Sequence, residues 1–456
     1  MSELSAIIES QREFFLSGKS KTKKFRKNNL LKLKELIGLL EENIMMALHE
    51  DLGKSRFESY ISEISFVKEE IDFALENLDE WMKPIRSKTP ISAMPAKSYT
   101  LYEPLGVTLI MAPWNYPFML SLDPLVGAIA AGNTAIIKCS SKSKSTGKLI
   151  RDMINSTFSH DFIYVVDNEE VSHEELLSFA YDHIFYTGGS RVGRKVMKAA
   201  SENLSKVTLE LGGKSPAIID RTADLTNAAK SIAWSKTLNA GQTCVAPDYL
   251  LVDINIKEDF IRKLKKALLD FYGLDPLKSK DYPRIINESH LDRLLGLLEG
   301  QDILMGGDYD RRSLKLGPTI VDGVDFDNKL MDEEIFGPII PIITYDNINP
   351  ILYKIKRLPK PLAFYLFSED KRLIEKLMYN MEFGNGCVNE TLIQIASPYL
   401  EFGGVGESGM GGYHGYHGFV NFSNKKSIME ASSFPRPDIK YPPYEDGKLN
   451  IVKTIL

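Results

Sequence analysis

Residues 183–200 read HIFYTGGSRVGRKVMKAA, which is a short apolar run, a pair of glycines and then a helical pattern. The first five residues are typical of a buried strand, and Val196, Met197 and Ala200 follow at helical spacing. A helix N-terminus presents unpaired N–H groups to an anion, and glycine allows a ligand to approach the backbone closely. The stretch therefore predicts a strand, turn and helix with a candidate phosphate site, although a glycine-rich turn without a ligand has the same local pattern.

Strand-like and helical runs alternate on both sides of this stretch. From Tyr102 onward the strand-like runs are GVTLIMA, NTAIIK, DFIYVVD, HIFYT, KVTLEL and SPAIID, and a second set after Cys244 includes YLLVDI, PIIPIITY and LAFYLFS. Such alternation indicates a parallel α/β architecture. Residues 1–83 show only helical periodicity, a proline- and serine-containing link follows at 84–95, and the proline-rich tail at 432–444 reads as an extended arm.

The composition is that of an ordinary soluble globular protein, with 43% apolar and 26% charged residues in a chain of 456. A net charge of −5 offers no overall attraction for nucleic acid or an anionic membrane. Three cysteines without regular spacing provide neither a disulfide framework nor a zinc pattern, which favours a cytoplasmic location. The N-terminus lacks the apolar core of a secretory signal, and prolines interrupt the most apolar region, so we expect no transmembrane segment and no nucleic-acid partner.

One of the three cysteines lies in a polar loop. Residues 239–249 read NAGQTCVAPDY, so Cys244 follows glycine, glutamine and threonine, and a strand-like run begins at Tyr249. A free cysteine is usually a small buried apolar residue, but loops on a rigid scaffold often carry reactive groups. Both a structural thiol and a reactive thiol are compatible with this local pattern.

A second glycine cluster, Gly404-Val-Gly406-Glu-Ser-Gly409, matches the dinucleotide-binding pattern G-x-G-x-x-G. It lies late in the chain, precedes no obvious helix and starts no strand–helix–strand unit. We therefore interpret the turn from Gly188 to Gly193, and not this cluster, as the candidate phosphate site.

Four motifs resemble the aldehyde dehydrogenase superfamily. They are PWNYP at 113–117, VTLELGGKSP at 207–216, NAGQTC at 239–244 and EEIFGP at 333–338. They occur in that family's order and at its usual separations, and the glycine turn lies between the first two. The runs FYTG, GQTCVAPDY and FGGVGESGMGGYHG and the YPPY tail resemble its class 3 branch, and the resemblance covers the chain from about residue 12 onward.

The resemblance implies oxidation of an aldehyde to the carboxylic acid. This chemistry requires a nucleophile that forms a tetrahedral adduct able to expel hydride, and the resemblance assigns that role to the thiolate of Cys244. Asn115 would donate its amide N–H to the oxyanion together with the backbone N–H of Cys244, although an asparagine between two prolines is locally a turn residue. Glu210 would be the base that hydrolyses the thioester, although its position also suits the polar face of a strand. Family members that transfer the acyl group to coenzyme A generally lack this glutamate, so the acid is the expected product.

The resemblance also implies a nicotinamide cofactor, NAD or NADP, and no metal. The residues expected to contact the cofactor are Lys138 at the adenosine ribose, Gly188, Ser190 and Gly193 near the pyrophosphate, Glu334 at the nicotinamide ribose and Phe336 near the ring. For Glu334, an exposed acidic turn is the local alternative.

One motif departs from the family pattern. Where many members read Lys-Pro-Ser-Glu, this chain reads Lys138-Cys139-Ser140-Ser141, followed by Lys142. In those members the glutamate accepts hydrogen bonds from the adenosine ribose, and its charge would repel a 2′-phosphate. Ser141 removes that repulsion and can donate to a phosphate oxygen, while Lys138 and Lys142 add positive charge. We therefore expect the chain to accept NADP as well as NAD, unless other parts of the pocket fix a preference for NAD.

The sequence indicates the substrate less clearly than it indicates the reaction. By resemblance, Tyr116, Trp234 and Tyr60 are the aromatic residues expected to line a tunnel to Cys244, although aromatic residues at such spacings are more often part of a core. An apolar tunnel implies medium- or long-chain aliphatic aldehydes or aromatic ones.

The expected fold is α/β, with a doubly wound Rossmann-like cofactor domain, an α/β catalytic domain and a small oligomerisation arm. We expect the cofactor domain to comprise residues 1–83 and 102–210, the catalytic domain 211–400, and the arm with the C-terminal tail 84–101 and 401–456. A homodimer is the expected assembly.

Two other classes of function are considered. One is a catalytically idle scaffold that keeps the fold, against which the joint presence of Cys244, Glu210 and Asn115 speaks. The other is a cofactor-independent thioester or ester hydrolase, in which Lys138 and Glu334 would have no role.

Overall fold

The structure is a computed structural model that describes residues 3–168, 170–431 and 438–455. The α-helices of these residues are α1 (Glu3–Leu16), α2 (Lys23–Leu39), α3 (Glu41–Leu52), α4 (Arg56–Ser59), α5 (Ser65–Trp81), α6 (Met119–Ala131), α7 (Lys144–Thr157), α8 (His173–Leu177), α9 (Ser190–Asn203), α10 (Leu225–Thr237), α11 (Lys257–Tyr272), α12 (Glu288–Leu298), α13 (Ile348–Ile355), α14 (Lys371–Asn380), α15 (Gly415–Asn421) and α16 (Asp446–Ile455). The strands are β1 (Ile85–Ser87), β2 (Ala96–Pro104), β3 (Val107–Met111), β4 (Thr134–Lys138), β5 (Ile163–Val165), β6 (His183–Thr187), β7 (Lys206–Glu210), β8 (Pro216–Ile219), β9 (Tyr249–Asp253), β10 (Asp302–Met305), β11 (Tyr309–Asp310), β12 (Lys315–Leu316), β13 (Thr319–Asp322), β14 (Ile339–Tyr345), β15 (Ala363–Phe367), β16 (Asn385–Val388), β17 (Gly409–Met410) and β18 (Ser423–Ala431).

The first large sheet has six strands in the order β17-β7-β6-β3-β4-β5, and all neighbours are parallel except β17. Its parallel strands follow the order of a dinucleotide-binding sheet, with the first strand of the set, β3, between β4 and β6. Leu109 of β3 packs with α1 and α9, whereas Ile110 packs with α6. A strand covered on both faces requires a continuous apolar run. The predicted strands of this sheet and its doubly wound, Rossmann-like character are confirmed.

The second large sheet has seven strands in the order β10-β13-β14-β9-β8-β15-β16, and all neighbours are parallel except β10. Leu250 and Tyr365 join an apolar cluster that also contains residues of the first sheet, whereas Leu251 and Phe364 pack in a separate cluster on the other face. The runs SPAIID, YLLVDI, PIIPIITY and LAFYLFS form β8, β9, β14 and β15, as predicted. The shared cluster joins the two sheets.

A third, antiparallel sheet has the order β1-β2-β18 and connects the expected link to the C-terminal region. Three elements, β2, β17 and α15, lie near or across the expected domain boundaries. Strand β2 continues to Pro104, beyond the expected boundary at 101, because it pairs with β18 along its whole length. In the region expected to be the arm, β17 joins the first sheet and α15 packs on α6. The expected domain boundaries stay predictions.

The chain termini match the sequence analysis in part. The N-terminal region is helical from α1 to α5, as predicted. Residues 432–437 of the predicted extended arm lie outside the described residues, and 438–455 contain a short 3₁₀ turn and α16. None of the helices that the structure describes is long and apolar enough to cross a membrane.

Candidate active site

Cys244 lies where two cavities meet. It precedes β9, and its partly exposed side chain lines both cavities, whereas Cys139 and Cys387 are buried. One cavity, of about 200 Å³, is lined almost entirely by apolar atoms, and we name it the apolar cavity. The other, of about 240 Å³, includes carboxyl, amide and hydroxyl side chains, and we name it the polar cavity. Such a position suits a reactive thiol better than a packing residue.

Left-handed backbone shapes the loop that carries this thiol. Asn239 has a φ of 50°, and Gly241 has a φ of 71°. A Cβ at Gly241 would lie 2.4 Å from the carbonyl oxygen of Gly337, so glycine is required there. The side-chain nitrogen of Asn239 donates to the carbonyl oxygens of Asn115 at 2.7 Å and Gln242 at 3.1 Å. These bonds fix the loop against the segment that carries Asn115.

Asn115 lies in the loop after β3. Its buried side chain lines the polar cavity, and Nδ2 donates to the carbonyl oxygen of Gln242 at 3.1 Å. An amide nitrogen carries a second hydrogen that can bind another acceptor. The structure therefore brings the predicted oxyanion donor and the thiol of Cys244 into one cavity.

Glu210 ends β7 and lines the same cavity. It is only 2% exposed, and neither carboxyl oxygen has a hydrogen-bond partner among the described residues. Burial, with a smaller contribution from the charge of Glu401, raises the pKa of Glu210 well above its usual range. Burying a carboxyl group without partners is costly, so its presence indicates a functional group.

The second glycine cluster supports the end of the strand that carries Glu210. Strand β17 pairs with Leu209 and Glu210 in antiparallel register. A Cβ at Gly404 would lie 2.1 Å from the carbonyl oxygen of Ser408, so the segment folds back tightly on itself. The cluster forms a turn onto the sheet and not a strand-to-helix turn, which agrees with its rejection as a dinucleotide fingerprint.

The surroundings of the Cys244 thiol favour its neutral form over the charged thiolate. Burial raises the pKa of Cys244 to about 12, and the charges of Glu334 and Glu210 add to the increase. Burial and the charge of Asp248 raise the pKa of Glu334 to about 8, while a hydrogen bond from the backbone N–H of Gly213 opposes the increase. The thiol is therefore protonated near neutral pH and must lose its proton when the site is loaded.

The polar cavity lies at the switch point of the first sheet, between β3 and β6. Asn115, in the loop after β3, and Gly188, in the loop after β6, both line this cavity. Open parallel sheets bind ligands in this crevice, beyond the carboxyl ends of the strands. Three of the predicted cofactor residues, Gly188, Glu334 and Phe336, line the cavity.

Two other predicted cofactor residues, Ser190 and Gly193, do not line this cavity and lie in the first turn of α9. A Cβ at Gly193 would lie 3.0 Å from a methyl carbon of Leu211. Gly188 has a φ of 157°, and a Cβ there would lie 2.3 Å from the hydroxyl of Tyr186. The structure thus explains both glycines by close packing of strand and helix, and contact of Ser190 and Gly193 with a pyrophosphate stays a prediction.

Gly212 makes room for Glu334. A Cβ at Gly212 would lie 2.1 Å from Oε2 of Glu334, whereas a Cβ at Gly213 would meet ordinary contacts, the nearest at 3.5 Å. The sequence indicates only that the glycine pair frees space after β7. The structure identifies the carboxyl group that fills the space.

Lys138 and Ser141 lie away from the two cavities at Cys244. Lys138 is buried, and its Nζ donates to the carbonyl oxygen of Val171 at 2.7 Å. Ser141 lines a separate groove of about 530 Å³ together with Lys144 and Lys148. The predicted contacts of both residues with the adenosine part of a cofactor stay predictions.

Lys142 lies outside the lining of this groove, and its predicted attraction for a 2′-phosphate stays a prediction. Its Nζ lies 5.5 Å from the centre of the Trp114 ring. The chain turns between Ser141 and the start of α7, so Lys144 and Lys148, one helical turn apart, supply positive charge in the groove.

The apolar cavity contains two of the three predicted aromatic residues. Tyr116 and Trp234 line it, and the hydroxyl of Tyr116 bonds that of Thr243 at 2.6 Å. Tyr60 does not line this cavity: the residue is 37% exposed, and its ring centre lies 5.7 Å from Nζ of Lys68. Its expected place in a substrate tunnel stays a prediction.

Sequence reasoning missed most walls of both cavities. The other large apolar and aromatic side chains of the apolar cavity come from distant segments and include Phe66, Met119, Leu392, Ile393, Phe402 and Tyr413. In the polar cavity, the ring of His290 packs against Trp114, with centroids 5.6 Å apart. Trp114 belongs to a recognised motif, but no local pattern distinguishes the others.

Comparisons with known proteins agree with this geometry. The model of the aldehyde dehydrogenase family matches residues 2–428. The chain is 44% identical to 4,4′-diaponeurosporen-aldehyde dehydrogenase of Staphylococcus aureus, covering 98% of this chain and 99% of the relative. It is 41% identical to a dimeric, NADP-preferring aldehyde dehydrogenase of Canis lupus familiaris, covering 90% of each chain. A solved structure of the substrate-bound state of Staphylococcus aureus AldH is similar with a TM-score of 0.97 at 43% identity, covering 100% of this chain and 99% of the other.

Proposed function

Because this chain belongs to the aldehyde dehydrogenase family, we propose that the junction of the two cavities at Cys244 is its active site. The chain is an oxidoreductase that converts an aldehyde to the carboxylic acid, with NAD or NADP as the hydride acceptor. The observation that carries the proposal is that Cys244 lines both cavities. The thiol can thus meet an aldehyde in the apolar cavity and a cofactor in the polar cavity.

The proposed mechanism assigns each bond change to residues of the polar cavity. As a thiolate, Sγ of Cys244 attacks the carbonyl carbon, and the amide of Asn115 and the backbone N–H of Cys244 stabilise the resulting oxyanion. A nicotinamide held by Glu334 and Phe336 would supply the acceptor for the hydride of this carbon, and a thioester would remain on the cysteine. Glu210 then takes a proton from the water that attacks the thioester carbon, the C–S bond breaks, and the acid leaves.

The polar groups that line the polar cavity suit the binding of a dinucleotide. The hydroxyl of Thr187 and both carboxyl oxygens of Glu210 are buried in its lining without a hydrogen-bond partner in the part of the chain that the structure describes. Glu334 would hold the nicotinamide ribose, Phe336 would pack near the ring, and the glycine at 188 would allow close approach to the phosphates. Unsatisfied buried polar atoms are costly, and a polar ligand or its water would remove that cost.

The apolar cavity supports medium- or long-chain aliphatic or aromatic aldehydes as substrates. Its lining near the thiol is aromatic or aliphatic, and no lysine or arginine lines it that would hold an anionic substrate. Ile393 lines the cavity and is also 57% exposed, so the cavity reaches the protein surface. A long alkyl or polyene chain can therefore extend outward. The relative from Staphylococcus aureus is named for 4,4′-diaponeurosporen-aldehyde.

The groove at Ser141 supports NADP as well as NAD. Ser141 carries no charge that would repel a 2′-phosphate, and Lys144 and Lys148 share its groove. The canine relative is named as NADP-preferring.

The third sheet supports a homodimer. Strand β18 has one strand partner among the described strands, so its other edge offers backbone groups to a second chain. Two-fold dimers are the commonest oligomers.

The cysteine content supports a cytoplasmic location. Free thiols at all three cysteines suit a reducing compartment.

The decisive experiment replaces the thiol and measures absorbance of the reduced cofactor across an aldehyde panel. Cys244→Ser and Cys244→Ala should lower the rate by at least about 10³-fold, as expected for loss of a nucleophile, while cofactor still quenches the fluorescence of Trp114 in the polar cavity. Cys387→Ala is the matched control and should leave the rate close to that of the unmodified enzyme. An active Cys244→Ala enzyme would contradict the proposal, and thioester hydrolysis without aldehyde oxidation in the unmodified enzyme would favour a hydrolase.

A further inference from the structure

A fully buried ionic cluster lies beneath the two loops of the proposed active site. Lys54 and Glu63 are both 0% exposed and form an ion pair, and the nearby Glu58 is 6% exposed. We name Lys54, Glu58 and Glu63 the buried cluster. Removing charges from water costs several kcal/mol per ion, so a buried ion pair is weak evidence for stability.

A π-helical turn brings the two carboxyl groups of the cluster to one side. Glu58 and Glu63 are five residues apart, and an α-helix would separate such positions by about 140° around its axis. Between them the chain winds as a π-helix from Tyr60 to Ile64, where the N–H of Ser65 bonds the carbonyl oxygen of Tyr60. The wider winding turns positions five apart toward the same face, and single π-helical turns are frequent at functional sites.

The ion pair holds both ends of the segment that carries Asn115. Nζ of Lys54 donates to the backbone oxygen of Asn115 at 3.0 Å and lies 4.0 Å from the centre of the Tyr116 ring. Oε2 of Glu63 accepts the N–H groups of Phe118 at 2.8 Å and Met119 at 3.1 Å. The pair therefore fixes the direction in which the segment leaves β3 and enters α6.

The third member of the cluster holds the cysteine loop. Oε1 of Glu58 accepts the backbone N–H of Asn239 at 2.7 Å. The side chain of Asn239 in turn donates to the backbone oxygen of Asn115, which also accepts from Lys54. The same cluster is thus bonded to both loops that supply the proposed oxyanion donors.

We infer that Lys54, Glu58 and Glu63 are positioning residues that hold the amide of Asn115 and the backbone N–H of Cys244 in place for the oxyanion. None of the three lines either cavity at Cys244, so they act through the loops and not on the substrate. Donors of an oxyanion hole accelerate a reaction only when they are held in place beforehand. The inference rests on the proposed function, because it requires the assigned roles of Asn115 and Cys244.

The test is a double-mutant cycle on the single-turnover rate of cofactor reduction. The variant Lys54→Met with Glu63→Gln removes both charges of the ion pair, so that neither partner is left as an unpaired charge. We expect the rate to fall about 10- to 100-fold, as for a misplaced catalytic group, with unchanged cofactor affinity. Asn115→Ala alone should cost about 10²- to 10³-fold. In that background the same double replacement should cost less than about twofold, because the ion pair holds the segment of Asn115, whose side-chain donor is already absent, and Glu58 still holds the cysteine loop.

Lys257→Met is the matched control, because it breaks a partly buried ion pair with Asp322, at 2.8 Å, and neither residue lines a cavity at Cys244. It should leave the rate unchanged in both backgrounds. Equal losses from the cluster variant with and without Asn115 would overturn the inference, and a fully active Asn115→Ala enzyme would overturn the proposed function instead. If the double replacement does not fold, Glu63→Gln alone, which keeps an oxygen acceptor, enters the same cycle and is judged by the same outcomes.

Discussion

At the scale of single residues, we propose that the protonation of Glu210 controls the hydrolysis step. Its carboxyl group is buried without partners, and its pKa is raised well above the usual range. A carboxyl group with a raised pKa is ionised only above that pKa, so its action as a base increases as the pH rises through it. Hydrolysis of the thioester should therefore accelerate with increasing pH.

Replacing Glu210 should separate the two chemical steps. In Glu210→Gln, hydride transfer continues but hydrolysis slows by about 10²- to 10⁴-fold, the usual contribution of a general base. Stopped-flow absorbance should show a burst of reduced cofactor that equals the amount of enzyme, followed by a slow steady state without the alkaline increase. Glu401→Gln is the control: it removes a charge that raises the pKa of Glu210, so its hydrolysis profile should shift to lower pH. An unchanged steady-state rate in Glu210→Gln would remove this residue from the mechanism.

Ser141 should determine how well the enzyme tolerates a 2′-phosphate. A carboxylate about 4 Å from a phosphate near the surface repels it by on the order of 4 kcal/mol before screening. Ser141→Glu should therefore lower kcat/KM for NADP at least about tenfold and leave that for NAD nearly unchanged. Lys148→Met, in the groove, should lower the NADP to NAD ratio, whereas Lys142→Met, outside the groove, should not. Strong exclusion of NADP by the unmodified enzyme would contradict this reading.

At the scale of secondary-structure elements, the connection between β7 and β8 links the proposed catalytic base, Glu210, to Glu334, the proposed partner of the nicotinamide ribose. Gly212 follows Glu210 and Leu211, and a Cβ at this position would overlap the carboxyl group of Glu334. Because the obstructed group is the end of a side chain, Glu334 can move away while the fold persists. The connection therefore affects cofactor binding more than stability.

Gly212→Ala should weaken cofactor binding while the enzyme stays folded. Loss of a hydrogen bond to a charged group costs about 1.5–3 kcal/mol, so the dissociation constant should rise about 10- to 100-fold, as measured by fluorescence titration. Gly213→Ala is the matched control, because its Cβ meets only ordinary contacts. Equal effects of the two substitutions would show that backbone freedom, and not room for Glu334, explains the glycine pair.

At the scale of the whole molecule, the third sheet is the exposed element through which we propose that two chains associate. Met429 of β18 is 54% exposed on a strand whose outer edge lacks a strand partner among the described residues. Exposed apolar edge strands favour pairing with another chain.

Light scattering should therefore give twice the mass of one chain for the unmodified protein. Met429→Asp should shift the mass toward the monomer, because a charge on the strand disfavours edge pairing. Met46→Asp, at a position on α3 with a similar exposure of 55%, should leave the mass unchanged. A monomeric unmodified protein would contradict the proposed dimer.

The sequence by itself determined the features that depend on neighbouring residues. Apolar runs predicted the five parallel strands of the first sheet and β8, β9, β14 and β15 of the second. The pattern after Thr187 predicted the turn and α9, because strand and helix periodicity are local properties. The motifs also identified Cys244, Glu210 and Asn115, since each lies within a contiguous recognisable stretch.

Only the tertiary structure decided what those residues share. Asn115, Glu210 and Cys244 line one cavity because three loops meet at a sheet edge, although the residues are far apart in the chain. The raised pKa values of Glu210 and Cys244 follow from burial, which depends on packing by distant segments. Side-chain direction likewise depends on how the backbone winds, so Lys148 and not Lys142 shares the groove of Ser141. A local sequence pattern contains neither the winding of the backbone nor the distant neighbours of a residue. Burial, shifted pKa values and side-chain directions therefore exist only in the folded chain.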